Sequence, residues 1–246
     1  MKSDTMENNM TPIDFENGKV FRFSNPPAVE QQLVREFFCN SDHGFYVDVG
    51  ANHPSIDSQS RHLEDLGWTG LLIEPTPSYC EMLRRERKGE VVQLACSSPE
   101  NHDKKLQLIA AGVHSTLNAN PIALGAHSEE TIEVTCRTLD SILEEYGVSP
   151  GFDFISIDIE GHEMEMFKGF TLPKWRPKLV LLEDHVTSHE KHNHMRKSGY
   201  RLILRTGLNS WYVPQEMHFE FSPAARLEQF RKYWLGLPSR KLRYRR

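Results

Sequence analysis

Acidic residues recur in this chain at the places where short apolar runs stop. Phe45–Val49 contains Asp48 and gives way to Gly50-Ala51-Asn52, and Leu71-Leu72-Ile73 ends in Glu74. Further on, Ser156-Ile157 is followed by Asp158, Glu160, His162 and Glu163, and Leu181-Leu182 by Glu183, Asp184 and His185. A glycine after Asp48 lets a ligand approach the backbone closely. A carboxylate about 25 residues later is placed to accept hydrogen bonds from both hydroxyls of a ribose. The first loop is not G-x-G-x-x-G and has no Lys-Ser/Thr pair, which argues against a pyrophosphate cradle. A nucleoside cofactor without pyrophosphate fits better, and S-adenosylmethionine is the common one. The plain alternative is a tight strand–helix turn beside an unrelated surface glutamate.

The later two strand ends would bring seven ionisable groups (residues 158, 160, 162, 163, 183, 184 and 185) to one edge. So many carboxylates raise one another's pKa unless a cation or ordered donors compensate. An oxygen-rich cluster is the ligand set of a hard divalent cation, with Mg²⁺ first in line. Asp158, Glu183 and Asp184 are the candidate ligands, with Glu160 close by. The plainer reading has Asp158 and Glu160 binding cofactor and helix N-terminal groups while the others are solvated. His162 and His185 flank the cluster, and a neighbouring carboxylate suits an imidazole to general-base work. The run His185, His189, His192, His194 lacks the H-E-x-x-H arrangement and reads as a polar helix face.

The elements that must position these residues alternate. Pro26-Pro27 opens a helical pattern with Val29, Leu33, Val34, Phe37 and Phe38 on one face. Strand patterns follow at Phe45–Val49, Leu71–Glu74 and Val91–Ala95, with a helix from Thr76-Pro77 to about Arg87 between the last two. Residues 98–136 break the order, with candidate strands at Lys105–Ile109 and Thr131–Thr135 and a polar loop, Gly112–Asn118, suited to closing over a polyol. Then come a helix at Leu139–Tyr146, a strand at Phe152–Asp158, a helix at Glu163–Gly169 and a strand at Lys178–Glu183. A helix at Ser188–Ser198 and the pair Tyr200–Leu204 and Trp211–Val213 close the domain. Strands alternating with helices predict an α/β fold, a mostly parallel sheet with helices on both faces that binds ligands at the carboxyl ends of its strands.

Composition fits one globular domain: 246 residues, 38% hydrophobic and 26% charged, with no apolar run long enough to span a bilayer. Four scattered cysteines without a C-x-x-C pair argue against a disulfide framework or structural zinc and for a reducing cytoplasm. The net charge of −5 is an average of unlike parts, because residues 226–246 carry eight Lys/Arg against Glu228, leaving −12 on residues 1–225. The expected divisions are an arm over 1–25, a catalytic domain over 26–221 and a basic amphipathic C-terminal helix and tail over 222–246. In the last, Ser222-Pro223 starts a helix whose Leu227, Phe230, Trp234 and Leu235 share a face. Apolar anchors beside clustered Lys/Arg compose an interfacial helix for the inner face of an anionic membrane. The alternative is packing on the protein's own sheet or on a second subunit of a homo-oligomer. An acidic body without an N-P-P-Y or D-P-P-Y type motif argues against nucleic acid as a partner.

Five stretches together resemble the FkbM family of S-adenosylmethionine-dependent methyltransferases. They are Val47–Pro54, Gly67–Pro75, Arg137–Asp140, Phe154–Glu163 and Trp175–Asp184, in family order within about residues 44–213. The resemblance implies a Rossmann-like class I methyltransferase fold and methyl transfer, usually to a hydroxyl of a sugar, a glycan of polysaccharide biosynthesis or a macrolide-type product. By position it implies that Asp48, Gly50 and Asn52 hold the methionine portion, Glu74 the ribose, and Ala95, Cys96 and Ser97 the adenine. Glu183-Asp184 is similar to the paired acids by which macrocin-type sugar O-methyltransferases bind magnesium, except that Glu stands where Asp is expected. The resulting expectation is an O-methyltransferase in which Asp158, Glu160 and His162 carry the chemistry and His162 accepts the proton. Two readings from other classes are a non-catalytic nucleoside-binding module in glycan assembly and a metal-dependent hydrolase.

Overall fold

The computed structural model describes residues 27–109, 115–117, 131–218, 227 and 230–238. The arm over 1–25, most of the loop Gly112–Asn118 and the Ser222-Pro223 helix start lie outside the described residues.

The alternating pattern folds into seven strands of one sheet. These are β1 (Phe45–Val49), β2 (Thr69–Ile73), β3 (Glu90–Val92), β7 (Phe154–Ile157), β8 (Leu179–Glu183), β9 (Tyr200–Thr206) and β10 (Asn209–Pro214). Their order is β3-β2-β1-β7-β8-β10-β9. The pairs β2–β3, β1–β2, β1–β7 and β7–β8 are parallel, while β10 runs antiparallel to both β8 and β9. This is the mostly parallel α/β sheet that the alternation predicts, in a Rossmann-like arrangement.

Period-two alternation sends successive side chains to opposite faces, so two cores form. On one face Tyr46, Leu72 and Phe154 pack against α1 (Pro27–Phe37), α2 (Arg61–Glu64) and α3 (Pro77–Glu86). On the other Val47, Val49, Ile155 and Ile157 pack against α4 (Leu139–Glu145), α5 (Glu163–Lys168), α6 (Leu172–Trp175) and α7 (Glu190–Lys197). Both faces of the sheet are covered, as a parallel sheet requires.

The third strand is shorter than its pattern predicts. Val91 and Val92 pair with β2, but Leu94 N–H turns back to Val92 O at 3.1 Å and the chain leaves the sheet. Ala95–Cys96 becomes β4 of a small second sheet, ordered β4-β6-β5, with β5 at Lys105–Ile109 and β6 at Thr131–Arg137. Leu108, Val134 and Cys136 close its core with Ala95. Where the sequence alternation fails, the described strands Lys105–Ile109 and Thr131–Arg137 thus build a flap beside the carboxyl ends of β1 and β2 rather than an extension of the main sheet. No helix among the described residues is long and apolar enough to cross a membrane.

Candidate functional site

Strand order reverses between β1 and β7, so a crevice opens at their carboxyl ends. Asp158 N–H donates to Val49 O at 3.0 Å, drawing the β7 loop against the end of β1. Gly50 sits at φ +84°, and a Cβ there would lie 1.8 Å from Asp158 O. Only glycine fits both that conformation and that approach. Asn52 also has positive φ, and its N–H donates to Glu74 Oε2 at 2.9 Å, while Thr76 N–H donates to Glu74 Oε1 at 2.8 Å. The buried Glu74 carboxylate is thereby fixed by one backbone donor on each oxygen, and each oxygen keeps a second lone pair for a ligand. Burial pushes its pKa up despite those donors.

Two clefts meet here. One, of about 540 Å³, runs past Glu74 between an apolar wall of Ile73, Leu94, Leu108 and Leu117 and the β4 residues Ala95 and Cys96. The other, of about 730 Å³, opens over Asp48, Ser156 and Glu183 beneath residues 56–59. Gly50, Asn52, Asp158 and Glu160 line both. No Lys or Arg lines either cleft among the described residues, whereas Asp48, Glu74, Asp158, Glu160 and Glu183 do. The site therefore suits a cation, and it offers nothing to a pyrophosphate.

The acidic edge forms, with some members rearranged. Asp158 faces the open clefts and is ringed by protein, and its carboxyl contacts that of Glu183. Desolvation, then the Glu183 charge, raises the Asp158 pKa well above the carboxylate range. Burial, then the Glu160 charge, pushes Glu183 up to about 7. Two carboxyls in this relation disfavour a second negative charge, which raises the pKa of the pair. Lys191 from α7 reaches in, with Nζ 2.9 Å from Glu163 Oε2 and donating to Glu183 O at 3.0 Å. Glu160 has a left-handed backbone (φ +49°), and its carbonyl accepts from Thr116 Oγ1 at 2.7 Å. Thr116 thus pins the described end of the polar loop across the site.

Asp184 is not part of this edge. Adjacent strand residues point to opposite faces, and the Asp184 carboxylate instead accepts from Val186 N–H at 2.8 Å and from Tyr233 Oη at 3.4 Å. Among the described residues, the group of possible metal ligands that does converge is Glu160, Glu183 and His185, within 4.8 Å of one another. Its imidazole departs from magnesium's preference for oxygen, and with Asp184 turned away the expected Mg²⁺ set of Asp158, Glu183 and Asp184 does not converge.

Two other expectations shift. Ser97 is buried away from the cleft, its hydroxyl 3.0 Å from His162 Nε2 and accepting from Asn101 Nδ2 at 2.9 Å, so only Ala95 and Cys96 of that trio line the cavity. His162 is committed to Ser97, has its pKa lowered by burial, and lines the Glu74 cleft rather than the one over Glu183. The histidine run is packed rather than solvated. His192 Nδ1 lies 3.2 Å from Tyr212 Oη, and His194 stacks on Phe167 at 4.4 Å.

A second buried network escaped sequence reasoning altogether. Ser60 Oγ donates to Asp48, and Arg87 Nη2 donates to Ser60 Oγ at 2.8 Å. Arg87 also donates to Glu64 Oε2 at 3.0 Å, to Ser58 Oγ at 3.1 Å and to Pro54 O at 3.4 Å, while Tyr46 Oη donates to Glu64. This clamp holds the loop after β1 closed over Asp48. Its sequence signal is faint, because Arg87 lies in a run of charged residues that reads as a solvated helix end.

No curated protein matches the chain in sequence. Among solved structures it is similar to the methyltransferase FkbM from Methylobacillus flagellatus KT, at 16% identity and a TM-score of 0.44. That match covers 70% of this chain and 44% of the other, so the chain spans less than half of that protein's length. It is also similar to precorrin-6y C5,15-methyltransferase from Geobacter metallireducens GS-15, at 12% identity and a TM-score of 0.39, over 74% of this chain and 85% of that one. Residues 48–202 match the methyltransferase FkbM domain, a span running from the acid of β1 to the start of β9 and taking in both clefts. The chain belongs to the FkbM methyltransferase family.

Proposed function

We propose that this protein binds S-adenosylmethionine across the switch-point crevice and methylates a hydroxyl oxygen of a sugar, glycan or related natural product. The bound cofactor supplies a methyl group already activated on a sulfonium. The residues suit it: the carboxylates complement a cation, and the cradle at Gly50 leaves no room for a Cβ. Glu74, held by two backbone donors, takes the ribose hydroxyls, and the apolar wall by Ala95 and Cys96 takes the adenine. Asp48 and Asn52 face the methionine portion.

The observation that carries the hydroxyl acceptor is the Asp158–Glu183 pair. A sugar hydroxyl is a poor nucleophile and needs its proton removed as it attacks. Glu183, pushed up to about 7, is poised for that transfer near neutral pH, and it lines the cleft on the side away from the adenine wall. Asp158 contacts Glu183 and lines both clefts, so in this reading it lies between acceptor and methyl donor. The base role thus passes from His162 to Glu183. Magnesium has no part in this reading, because Asp184 turns away from Asp158 and Glu183.

Calorimetry with S-adenosylmethionine and with its demethylated product tests the cofactor assignment. Binding of both is expected, and absence of both removes it. Transfer of labelled methyl to a panel of sugar acceptors tests the rest. Label recovered only on nitrogen or carbon would overturn the hydroxyl assignment.

A further inference from the structure

Six large apolar side chains are exposed among the described residues: Ile56, Tyr146, Leu227, Phe230, Trp234 and Leu235. Four of these six fall within nine residues of chain. Leu227 is 68% exposed, Phe230 49%, Trp234 38% and Leu235 63%, while Tyr233 among them is fully buried. Tyr233 acts as the anchor of a short π-helical turn, Arg231–Leu235. Its hydroxyl donates to Asp184, and its ring stacks on His189 at 5.5 Å. Trp234 meets the edge of His189 at 4.3 Å. The apolar side chains around this anchor are therefore held outward by a fixed attachment.

Charge singles out the partner. Residues 226–246 carry eight Lys/Arg against one acid, while residues 1–225 carry −12. An acidic body is repelled by an anionic surface and its basic segment is attracted, so the molecule is polarised to approach such a surface by this end. A nucleic acid would use the charge but leave four apolar side chains without a role. A bilayer with anionic headgroups uses both, burying the apolar groups at the acyl boundary while Lys/Arg contact the headgroups. Tyr233 is fastened to Asp184, the residue after Glu183, which sets the patch beside the strand ends where the second cleft opens.

We infer that this protein docks on an anionic lipid bilayer through Leu227, Phe230, Trp234 and Leu235, with the Lys/Arg that the sequence clusters over 226–246 supplying the attraction. The inference stands apart from the methyl-transfer chemistry, since it rests on the exposed patch and its charge.

Flotation of the full chain with phosphatidylcholine vesicles, with and without phosphatidylglycerol, tests it. Binding is expected only with the anionic lipid and should be released by high salt, because headgroup attraction decays within a Debye length. Each basic residue near the surface strengthens attachment roughly fivefold, so K241E/R243E/R245E should weaken partitioning by about a hundredfold or more. L227S/F230S/L235S alters exposed positions alone and should abolish binding while leaving the thermal unfolding midpoint unchanged. Failure of the unaltered chain to float, or flotation of either variant equal to that of the unaltered chain, overturns the inference. So does a concentration-dependent dimer that the serine variant dissolves while lipid binding persists, which would assign the patch to a second copy of the chain.

Discussion

Around Arg87 the buried charge closes on itself, whereas around Lys191 it does not. Arg87 faces the carboxylates of Glu64 and Asp48, and Ser58, Ser60, Tyr46 and Pro54 O take up the remaining donors and acceptors. In that setting the Glu64 pKa is lowered: burial works against its charge, and the Arg87 and Tyr46 hydrogen bonds more than offset it. Across β1, Lys191 meets a cluster holding Asp158, Glu160, Glu163 and Glu183, and both Asp158 and Glu183 are raised. The two clusters use the same residue types at the same end of one sheet. In the first, one guanidinium and several donors meet two acids, Glu64 is lowered and only the desolvated Asp48 is raised. In the second, one ammonium meets four acids and excess acidity remains. Balanced burial positions a loop, and unbalanced burial makes chemistry available.

The harshest way to break this comparison is to open the balanced side. Arg87→Ala would leave Glu64 buried without its cation and release the loop over Asp48. A stability loss of about 3–5 kcal/mol is expected in urea unfolding. A loss below about 1 kcal/mol would show that the clamp does not carry the loop. On the other side, Glu183→Gln keeps the shape and removes a base. The turnover rate should fall about 10²–10³-fold with S-adenosylmethionine affinity little changed. Activity above a tenth of the unaltered protein's would end Glu183's role as proton acceptor.

The pH response separates the two sides with a smaller effect. Glu183 is pushed from the ordinary 4.5 up to about 7, so between those values the folded chain holds a proton that the unfolded chain has released. Stability therefore falls as pH rises from 4.5 to 7, by on the order of 1–3 kcal/mol for such a group. Glu30, buried beside Thr206 and Asn209 and also pushed up to about 7, adds a slope of the same sign. Chemical unfolding across that range should flatten in part in Glu183→Gln and further in the double variant with Glu30→Gln. A slope unchanged in both would mean that neither group is protonated in the folded chain.

Much of the site is legible in the sequence because parallel strands all end at one edge. An apolar run stopping at an acid marks both the strand and its rim, and that pattern alone points to Asp48, Glu74, Asp158 and Glu183. Strand alternation also holds a signal that the pairing of Glu183 with Asp184 ignores, since neighbours on a strand cannot both face one cleft. Arg87 is illegible for a different reason. Within Arg84-Arg85-Glu86-Arg87-Lys88 nothing local distinguishes the one buried guanidinium. Its partner Glu64 lies 23 residues away, and only the tertiary fold brings the end of α2 to the residue that caps α3. Leu94 likewise continues an apolar run, and the departure of β4 into the flap follows from its pairing with Cys136 and Arg137.

The finest discriminator is Lys191, the cation that tempers the acidic edge from within. Its charge lowers the Glu183 pKa, against burial and the neighbouring carboxylates that raise it. Lys191→Gln keeps a donor for Glu183 O and removes the charge. Glu183 then holds its proton to higher pH, and because the deprotonated form is the active base, the midpoint of the pH–rate profile moves up. A charge a few ångströms away, partly screened, shifts such a midpoint by roughly half to one unit. Lys191→Arg keeps the charge and should leave the midpoint in place. A merely structural lysine would lower activity at every pH without moving the midpoint, and that outcome would reduce the unbalanced cluster to packing.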